Sequence, residues 1–224
     1  MIEKVKNLLA PKLLAIFFIY YHLFGLKFVM FTILERFDLP LTEYHYPLLN
    51  IFTILFIIVL VIYLRRRRPE IFQIRPLKPL DYLVTLLAFG VIYAYFSNLL
   101  FIGGDIKNDL LFFRDSPLAF LVVLQPFIIG PILEELVYRG VLMTSFFEKS
   151  KFYLDCLLSA VIFSVAHLFS YGLSLEVFKN YAFLGFILAI LFRKTRSIYP
   201  SILVHMAWNI YLSWHLIAFI FFER

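Results

Sequence analysis

The sequence predicts an all-α membrane protein, a polytopic bundle of about seven transmembrane helices that encloses an intramembrane polar cavity. Hydrophobic residues make up 62% of the 224 residues, and charged residues only 16%. Soluble domains average roughly 45–50% apolar and about 25% charged residues, so this composition excludes a water-soluble globule. The apolar residues also occur in long runs of the length that spans a bilayer.

The first three spans are separated by polar segments. Span one follows Lys4, Lys6 and Lys12. It is too long for a signal-peptide core and has no small-residue cleavage site, so we interpret it as an uncleaved span. Lys27 lies inside it, where a lysine can snorkel or face the bundle interior. The predicted ranges are 13–34, 48–64 and 80–102.

Four further spans are predicted in the second half of the chain. The fourth lies within 117–147 and is interrupted by Pro126 and Pro131. The remaining predicted ranges are 152–169, 175–192 and 198–222. The loops are short and no soluble domain is recognisable, so any chemistry is expected inside the membrane or at its edge.

The basic residues predict the orientation of the bundle. Fourteen of the 21 Lys and Arg lie before the first span or in the segments 65–78, 149–151 and 193–196. Because Lys and Arg are retained on the cytoplasmic side, this pattern predicts a cytoplasmic N-terminus and an external C-terminus. The six charges in 65–78 are also compatible with a nucleic-acid or anionic-lipid patch; we favour the topological interpretation and expect no nucleic-acid partner.

Ionisable residues at membrane depth cost about 2.5–3.5 kcal/mol each on insertion and mark functional sites by default. The fourth span carries Glu134, Glu135 and Arg139. Glu135 and Arg139 are four residues apart, the spacing at which an acid and a base pair on one helical face. Glu134 lies about 100° round the helix without such a partner, and an unpaired buried carboxylate is suited to general acid or base catalysis.

Two other spans contribute His167, and His205 with Asn209. Counted from the turn at 148–151, Glu134 and His167 lie at nearly the same depth, roughly 20 Å from the inner turn. His205 lies only roughly 13 Å from its own turn, so a tilt or a re-entrant start of the seventh span must close the difference.

Each of these residues also has a structural explanation. A single membrane histidine is often a helix-to-helix hydrogen-bond donor, and Glu135 with Arg139 alone would suggest a structural ion pair. The whole set on three helices is harder to explain by packing and predicts a site. His22, His45 and His215 lack polar partners at helical spacing, so we interpret them as structural or interfacial.

Two mechanisms fit this set of residues. Glu134, His167 and His205 are candidate ligands for a zinc ion that would lower the pKa of a bound water. Alternatively, Glu134 is itself the general base, and His205 and Asn209 donate to an oxyanion. Both mechanisms hydrolyse an acyl bond, such as a peptide bond.

Other hydrolytic centres are less compatible with the sequence. No HExxH motif is present, which excludes the usual zincin, and the single cysteine, Cys156, cannot form a CxxC metal site. Ser164 precedes His167 by three residues, but no GxSxG or Ser–Lys arrangement accompanies it.

Three short motifs at these positions resemble those of the CPBP intramembrane proteases, which include the CAAX prenyl endopeptidase and the bacteriocin-processing and self-immunity (Abi) proteins. EExxxR is matched by Glu134, Glu135 and Arg139, FxxxH by Phe163 and His167, and HxxxN by His205 and Asn209. All three occur in order on separate predicted helices.

The resemblance implies a role for each residue. Glu134 and His167 would activate the attacking water, while Glu135 and Arg139 orient the site and His205 with Asn209 stabilises the oxyanion. Phe163 would help to orient the site. The resemblance leaves both zinc and a metal-independent glutamate mechanism open. It assigns residues 117–224 to a catalytic core and leaves 1–116 as membrane spans without a recognised motif.

The resulting hypothesis is a multi-pass intramembrane endopeptidase of a bacterial plasma membrane, acting on a membrane-associated peptide or lipidated protein. One alternative is a non-proteolytic immunity or regulatory protein that binds a peptide or membrane partner in the same cavity. Another is a small transporter with a proton relay, which the absence of a recognisable repeat disfavours.

Overall fold

A computed structural model describes residues 2–73, 78–97, 119–146, 148 and 150–214. Helices account for nearly all of these residues, and there is no strand among them. Six described segments are long and apolar enough to cross a membrane: Ala10–Arg36, Tyr44–Arg67, Pro79–Phe96, Phe120–Ser145, Leu154–Tyr171 and Leu175–Thr195. The predicted all-α, polytopic membrane fold is confirmed.

The first half of the chain forms helices α1 to α3. Helix α1 comprises Ile2–Tyr20, a π-helical turn Tyr21–Gly25 and Leu26–Arg36. Helix α2 is Leu41–Arg67, and a 3₁₀ turn, Pro69–Phe72, follows it. Helix α3 is Pro79–Phe96; it begins with a proline, and the Asp81 carboxylate accepts a hydrogen bond from the Lys78 backbone N–H.

Helix α4 runs without a break from Ala119 to Ser145 but changes its hydrogen-bonding pattern. It comprises Ala119–Leu124, a π turn Gln125–Ile129, Gly130–Glu135, a second π segment Leu136–Leu142 and Met143–Ser145. Such π segments are rare and concentrate at functional sites. Of the two prolines expected to interrupt this span, Pro126 lies in the first π turn and Pro131 in the helical turn after it, and the helix continues through both.

Three helices complete the described bundle: α5 (Leu154–Tyr171), α6 (Leu175–Thr195) and α7 (Ile198–Leu212). Ser174 caps the start of α6 by accepting from the N–H groups of Glu176 and Val177. The described part of α7 is about 22 Å long. The predicted span 198–222 continues beyond it, and residues 215–224 lie outside the described residues, as do 98–118, which include the predicted loop after span three.

Helix α4 lies at the centre of the bundle. Helices α1, α2, α5 and α7 all pack against it, and α6 packs against α3, α5 and α7. Every residue from Leu136 to Met143 is buried. Large apolar side chains instead cover the outside of the bundle, for example Phe28 at 71% and Leu86 at 72% exposure. Such a surface suits lipid contact, and the polar groups of α4 are directed inward.

The segments with the most basic charge meet at one end of the bundle. Arg68 pairs with Glu148 at 2.5 Å and donates to the Thr144 carbonyl at 2.8 Å. Arg193 pairs with Asp155 and donates to the Ser150 carbonyl. The segments predicted to share the cytoplasmic side therefore lie together, while the direction in which this end faces stays a prediction.

Cysteine labelling tests the orientation. In a Cys156→Ala background, Glu35→Cys at the end of α1 and Glu70→Cys beside Arg68 place one exposed thiol at each end of the bundle. We expect a membrane-impermeant maleimide to label Glu35→Cys on intact cells and Glu70→Cys only after the membrane is opened, because the basic end is retained inside. The reverse labelling pattern would contradict the predicted topology.

Candidate active site

The polar residues of the second half surround one cavity of about 400 Å³. Glu134 of α4, His167 of α5, and His205 and Asn209 of α7 all line it. Lys27 of α1 and residues of α2 and α6 complete the wall. We predicted a cavity formed by spans four, five and seven; the structure adds α1, α2 and α6 to those three. Their catalytic roles stay predictions.

The first π turn of α4 creates a backbone acceptor at the cavity. The Gly130 N–H bonds to the Gln125 carbonyl, so in the same pattern the Pro126 carbonyl would need the N–H of Pro131. Proline has no N–H. Asn209 supplies the missing donor, with its Nδ2 at 2.9 Å from the Pro126 oxygen. One N–H of the amide is thereby used, and the second remains.

A glycine is required at the end of this turn. A Cβ at Gly130 would lie 2.7 Å from the Gln125 carbonyl oxygen, closer than real Cβ atoms approach backbone. This π turn therefore requires glycine at 130, and its Pro126 carbonyl accepts from Asn209 of α7.

Arg139 and Glu135 form a fully buried ion pair on α4. The Arg139 Nη1 lies 2.9 Å from the Glu135 Oε1, and both side chains have 0% exposure. Arg139 also donates from Nη2 to the Gly185 carbonyl of α6 at 2.9 Å, and its guanidinium lies 4.9 Å from the centre of the Phe163 ring. The spacing in the sequence predicted this i,i+4 ion pair at membrane depth, and the structure contains it as a buried pair.

Close packing of α6 on α5 brings the Gly185 carbonyl within reach of Arg139. A Cβ at Gly185 would lie 3.2 Å from the Ala160 Cα and 3.0 Å from the Phe163 ring. A larger residue would therefore push α6 away from α5 and lengthen the hydrogen bond to Arg139.

His205 connects the two adjacent glutamates. Its Nδ1 donates to the Glu135 Oε1 at 2.9 Å, because a carboxylate can only accept. Its Nε2 lies 3.7 Å from the Glu134 Oε2. Glu135 thus fixes the orientation of the imidazole, as carboxylates commonly do for functional histidines, and directs Nε2 toward Glu134.

The sequence left a difference in depth between His205 and Glu134, to be closed by a tilt or by a re-entrant start of the seventh span. In the structure the two side chains do meet, with the His205 Nε2 3.7 Å from the Glu134 Oε2. Ile198, Pro200 and Ser201 are all buried at the beginning of α7. Whether a tilt or a re-entrant start closes the difference stays a prediction.

His167 is held by its own helix and by α6. Its Nδ1 donates to the Phe163 carbonyl at 2.8 Å, and its ring stacks on Tyr181 with centroids 3.8 Å apart. A neutral imidazole that donates from Nδ1 has its lone pair on Nε2. His167 can therefore accept a hydrogen bond or a proton through Nε2.

Glu134 differs from Glu135 in its surroundings. The Glu135 side chain is completely buried and accepts from both Arg139 and His205, whereas the Glu134 side chain retains 20% exposure and lines the cavity. Two consecutive residues of one type thus have separate positions, one inside the packing and one at the cavity.

Several residues and backbone groups of the candidate site could not be predicted from the three motifs. Tyr181 of α6 stacks on His167, and a lone tyrosine in an apolar span gives no signal for this contact. The Gly185 and Pro126 carbonyls are backbone groups without a residue-type signature. Lys27 and His45 line the cavity from the N-terminal spans, so the structural or interfacial interpretation of His45 was incomplete.

The other two histidines that we interpreted as structural or interfacial are His22 and His215. His22 lies in the π turn of α1 and packs edge-to-face against Tyr138 of α4, with ring centroids 5.5 Å apart. His215 lies outside the described residues.

The candidate zinc ligands do not form a complete site in this arrangement. Within the described part of the chain, no three His, Cys, Asp or Glu side chains converge as a metal site requires. His167 and His205 both donate from Nδ1, to a backbone carbonyl and to Glu135, so each has Nε2 available as zinc-binding histidines usually do. In the described arrangement they do not converge with Glu134 as a group of three ligands, so the mechanism below is written for the side chains alone.

The chain is similar to other proteins in the segment that carries the three motifs. Residues 116–211 match the family described as Type II CAAX prenyl endopeptidase Rce1-like. The Bacillus subtilis protein named "Putative membrane peptidase YdiL" is 32% identical over 92 residues, which cover 41% of this chain and 36% of that relative. The match thus spans about a third of the relative's length. No solved structure matches the chain.

The family match includes all three motifs, from Glu134 to Asn209, and it agrees with the resemblance that those motifs carry. Over residues 116–211, less than half of the chain, the protein is therefore similar to the Type II CAAX prenyl endopeptidases.

Proposed function

We propose that the protein is an intramembrane endopeptidase that hydrolyses a peptide bond of a membrane-associated protein or peptide with a water activated by Glu134. The observation that carries the proposal is the contrast between two adjacent carboxylates. Glu135 is neutralised by Arg139 and bonded to His205, whereas Glu134 faces the cavity with a histidine nitrogen 3.7 Å away. Glu134 is thus available to take a proton from water.

In the proposed reaction, Glu134 accepts a proton from water as the water oxygen bonds to the carbonyl carbon. His167 accepts a hydrogen bond from the same water through Nε2, since its Nδ1 is held by the Phe163 carbonyl. The carbonyl oxygen becomes an oxyanion. Glu134 then transfers the proton to the amide nitrogen as the C–N bond breaks, which releases an amine and a carboxylic acid.

His205 and Asn209 are suited to stabilise the oxyanion. Because the His205 Nδ1 already donates to Glu135, donation from Nε2 requires the imidazolium form. Asn209 would contribute the amide N–H that the Pro126 carbonyl does not use.

The substrate assignment follows from the setting of the site. A cavity among membrane helices favours a substrate anchored in or at the bilayer, and the match to prenyl endopeptidases supports a lipidated or hydrophobic peptide. We further propose a bacterial plasma membrane location, in agreement with the Bacillus relative, and processing of a bacteriocin-type peptide as one biological role.

The central test is Glu134→Gln. We expect peptide cleavage to fall by about 10²–10⁴-fold, because the carboxamide keeps the shape but cannot take a proton. Cleavage is measured as new peptide termini, by mass spectrometry, on a panel of membrane-anchored peptides in proteoliposomes. Glu176→Gln, an exposed change in the first turn of α6, is the matched control. Equal cleavage by the Glu134→Gln variant and the parent would show that Glu134 is not the base, and no cleavage by the parent would favour the non-proteolytic alternative.

Chelation tests the metal-independent mechanism. We expect full activity after treatment with 1,10-phenanthroline and dialysis, since Glu134, His167 and His205 do not form a three-ligand site. Loss of activity that zinc restores would instead establish a metalloenzyme.

Arg139→Met tests the orienting role of the ion pair. Removing the guanidinium leaves the buried Glu135 carboxylate without its charge partner, so the free energy of unfolding should fall by about 3–5 kcal/mol. Unfolding in mixed micelles measures this change, with Glu134→Gln as a variant expected to keep the stability of the parent. An Arg139→Met variant as stable as the parent would show that the pair does not hold the helices together.

A further inference from the structure

A groove between α1 and α2 lies at the basic end of the bundle, separate from the candidate active site. It consists of two adjoining cavities of about 470 Å³ and about 220 Å³, which share Pro11, Tyr63 and Arg67 in their walls. The larger cavity is within the range of about 300–1,000 Å³ that is usual for ligand pockets. Neither cavity includes a residue of the three motifs.

One half of the groove is apolar. Leu14 and Phe18 of α1 and Val59 and Ile62 of α2 line it. Leu14, Val59 and Ile62 are 42%, 51% and 49% exposed, so this half opens to the outside of the bundle. In a membrane-spanning protein, an open apolar groove between helices faces lipid acyl chains.

The other half of the groove is basic. Lys12, Arg66, Arg67 and Arg68 line the two cavities, and no Asp or Glu is among the described residues of either wall. Arg68 is paired with Glu148, but Arg66 and Arg67 have no acidic partner among the residues that the structure describes. Two exposed guanidiniums thus lie beside an apolar groove without a counter-charge.

The two halves follow each other along α2. From Val59 to Arg66 the helix rises about 10 Å, so a ligand that fills the groove must be apolar over that length and negatively charged at one end. An anionic phospholipid has this chemistry, and basic pockets between transmembrane helices bind such headgroups.

We infer that this groove is a binding site for an anionic diacyl phospholipid. The phosphate contacts Lys12, Arg66 and Arg67, and an acyl chain lies along Leu14, Phe18, Val59 and Ile62. Thr144 and Ser145, at the end of α4, line the smaller cavity. A lipid bound there contacts three helices and stabilises the end of the helix that carries Glu134.

The test uses the full-length protein, purified in detergent, depleted of lipid and titrated with dioleoyl-phosphatidylglycerol. Arg67→Gln removes a charge that lines both cavities. Arg65→Gln is the matched control, because Arg65 lines neither cavity and lies instead over the Phe72 ring. Native mass spectrometry counts bound lipid, and the thermal unfolding midpoint reports stabilisation.

We expect phosphatidylglycerol to bind and stabilise the parent and Arg65→Gln, and its affinity for Arg67→Gln to fall about fivefold or more. Leu14→Trp fills the apolar half with every charge intact and should also weaken binding. Phosphatidylcholine and inorganic phosphate are expected to give no stabilisation.

Three results would overturn the site. Equal phosphatidylglycerol binding by Arg67→Gln and Arg65→Gln would contradict the proposed contact of Arg67 with the headgroup. Unchanged binding by Leu14→Trp would contradict the proposed contact of the acyl chain with the apolar half. Equal stabilisation by phosphatidylcholine or by inorganic phosphate would remove the need for an anionic lipid. None of these readouts depends on peptide cleavage.

Discussion

A buried cation joins the helices around the candidate active site. Arg139 bonds to Glu135 within α4 and to the Gly185 carbonyl of α6, and its guanidinium lies over the Phe163 ring of α5. Through Glu135 the same network reaches His205 of α7. A charge at this depth is tolerated only with nearly all of its partners in place, so four helices have to meet at the correct distances. The positions of the other site residues depend on this requirement.

Given that network, the adjacent acidic residues have separate tasks. Glu135 compensates charge and aligns an imidazole, and it is inaccessible to any substrate because its side chain has 0% exposure. Glu134 does not compensate the charge of Arg139, and its side chain lines the cavity. Glu135 could not fulfil both tasks, because its Oε1 accepts from Arg139 and His205 and its other oxygen, Oε2, is buried away from the cavity.

The sequence could predict the parts of the site that depend on helical spacing. Glu135 and Arg139 meet because they are four residues apart, and hairpin geometry brings His167 of α5 to the depth of Glu134. The sequence could not predict the Pro126 carbonyl as a partner of Asn209, because the acceptor arises from a local change to π-helical bonding. The sequence also could not predict the contacts of the N-terminal spans with the cavity, because these contacts follow from tertiary packing rather than from periodicity.

The position of α7 in the chain affects how the protein is made. His205 lies 70 residues after Glu135, and Asn209 lies 83 residues after Pro126. During synthesis from the N-terminus, α4 therefore enters the membrane long before either partner exists. The Pro126 carbonyl stays without its donor and Glu134 without its imidazole until the last described helix inserts. A nascent chain thus has no assembled site until α7 has been made.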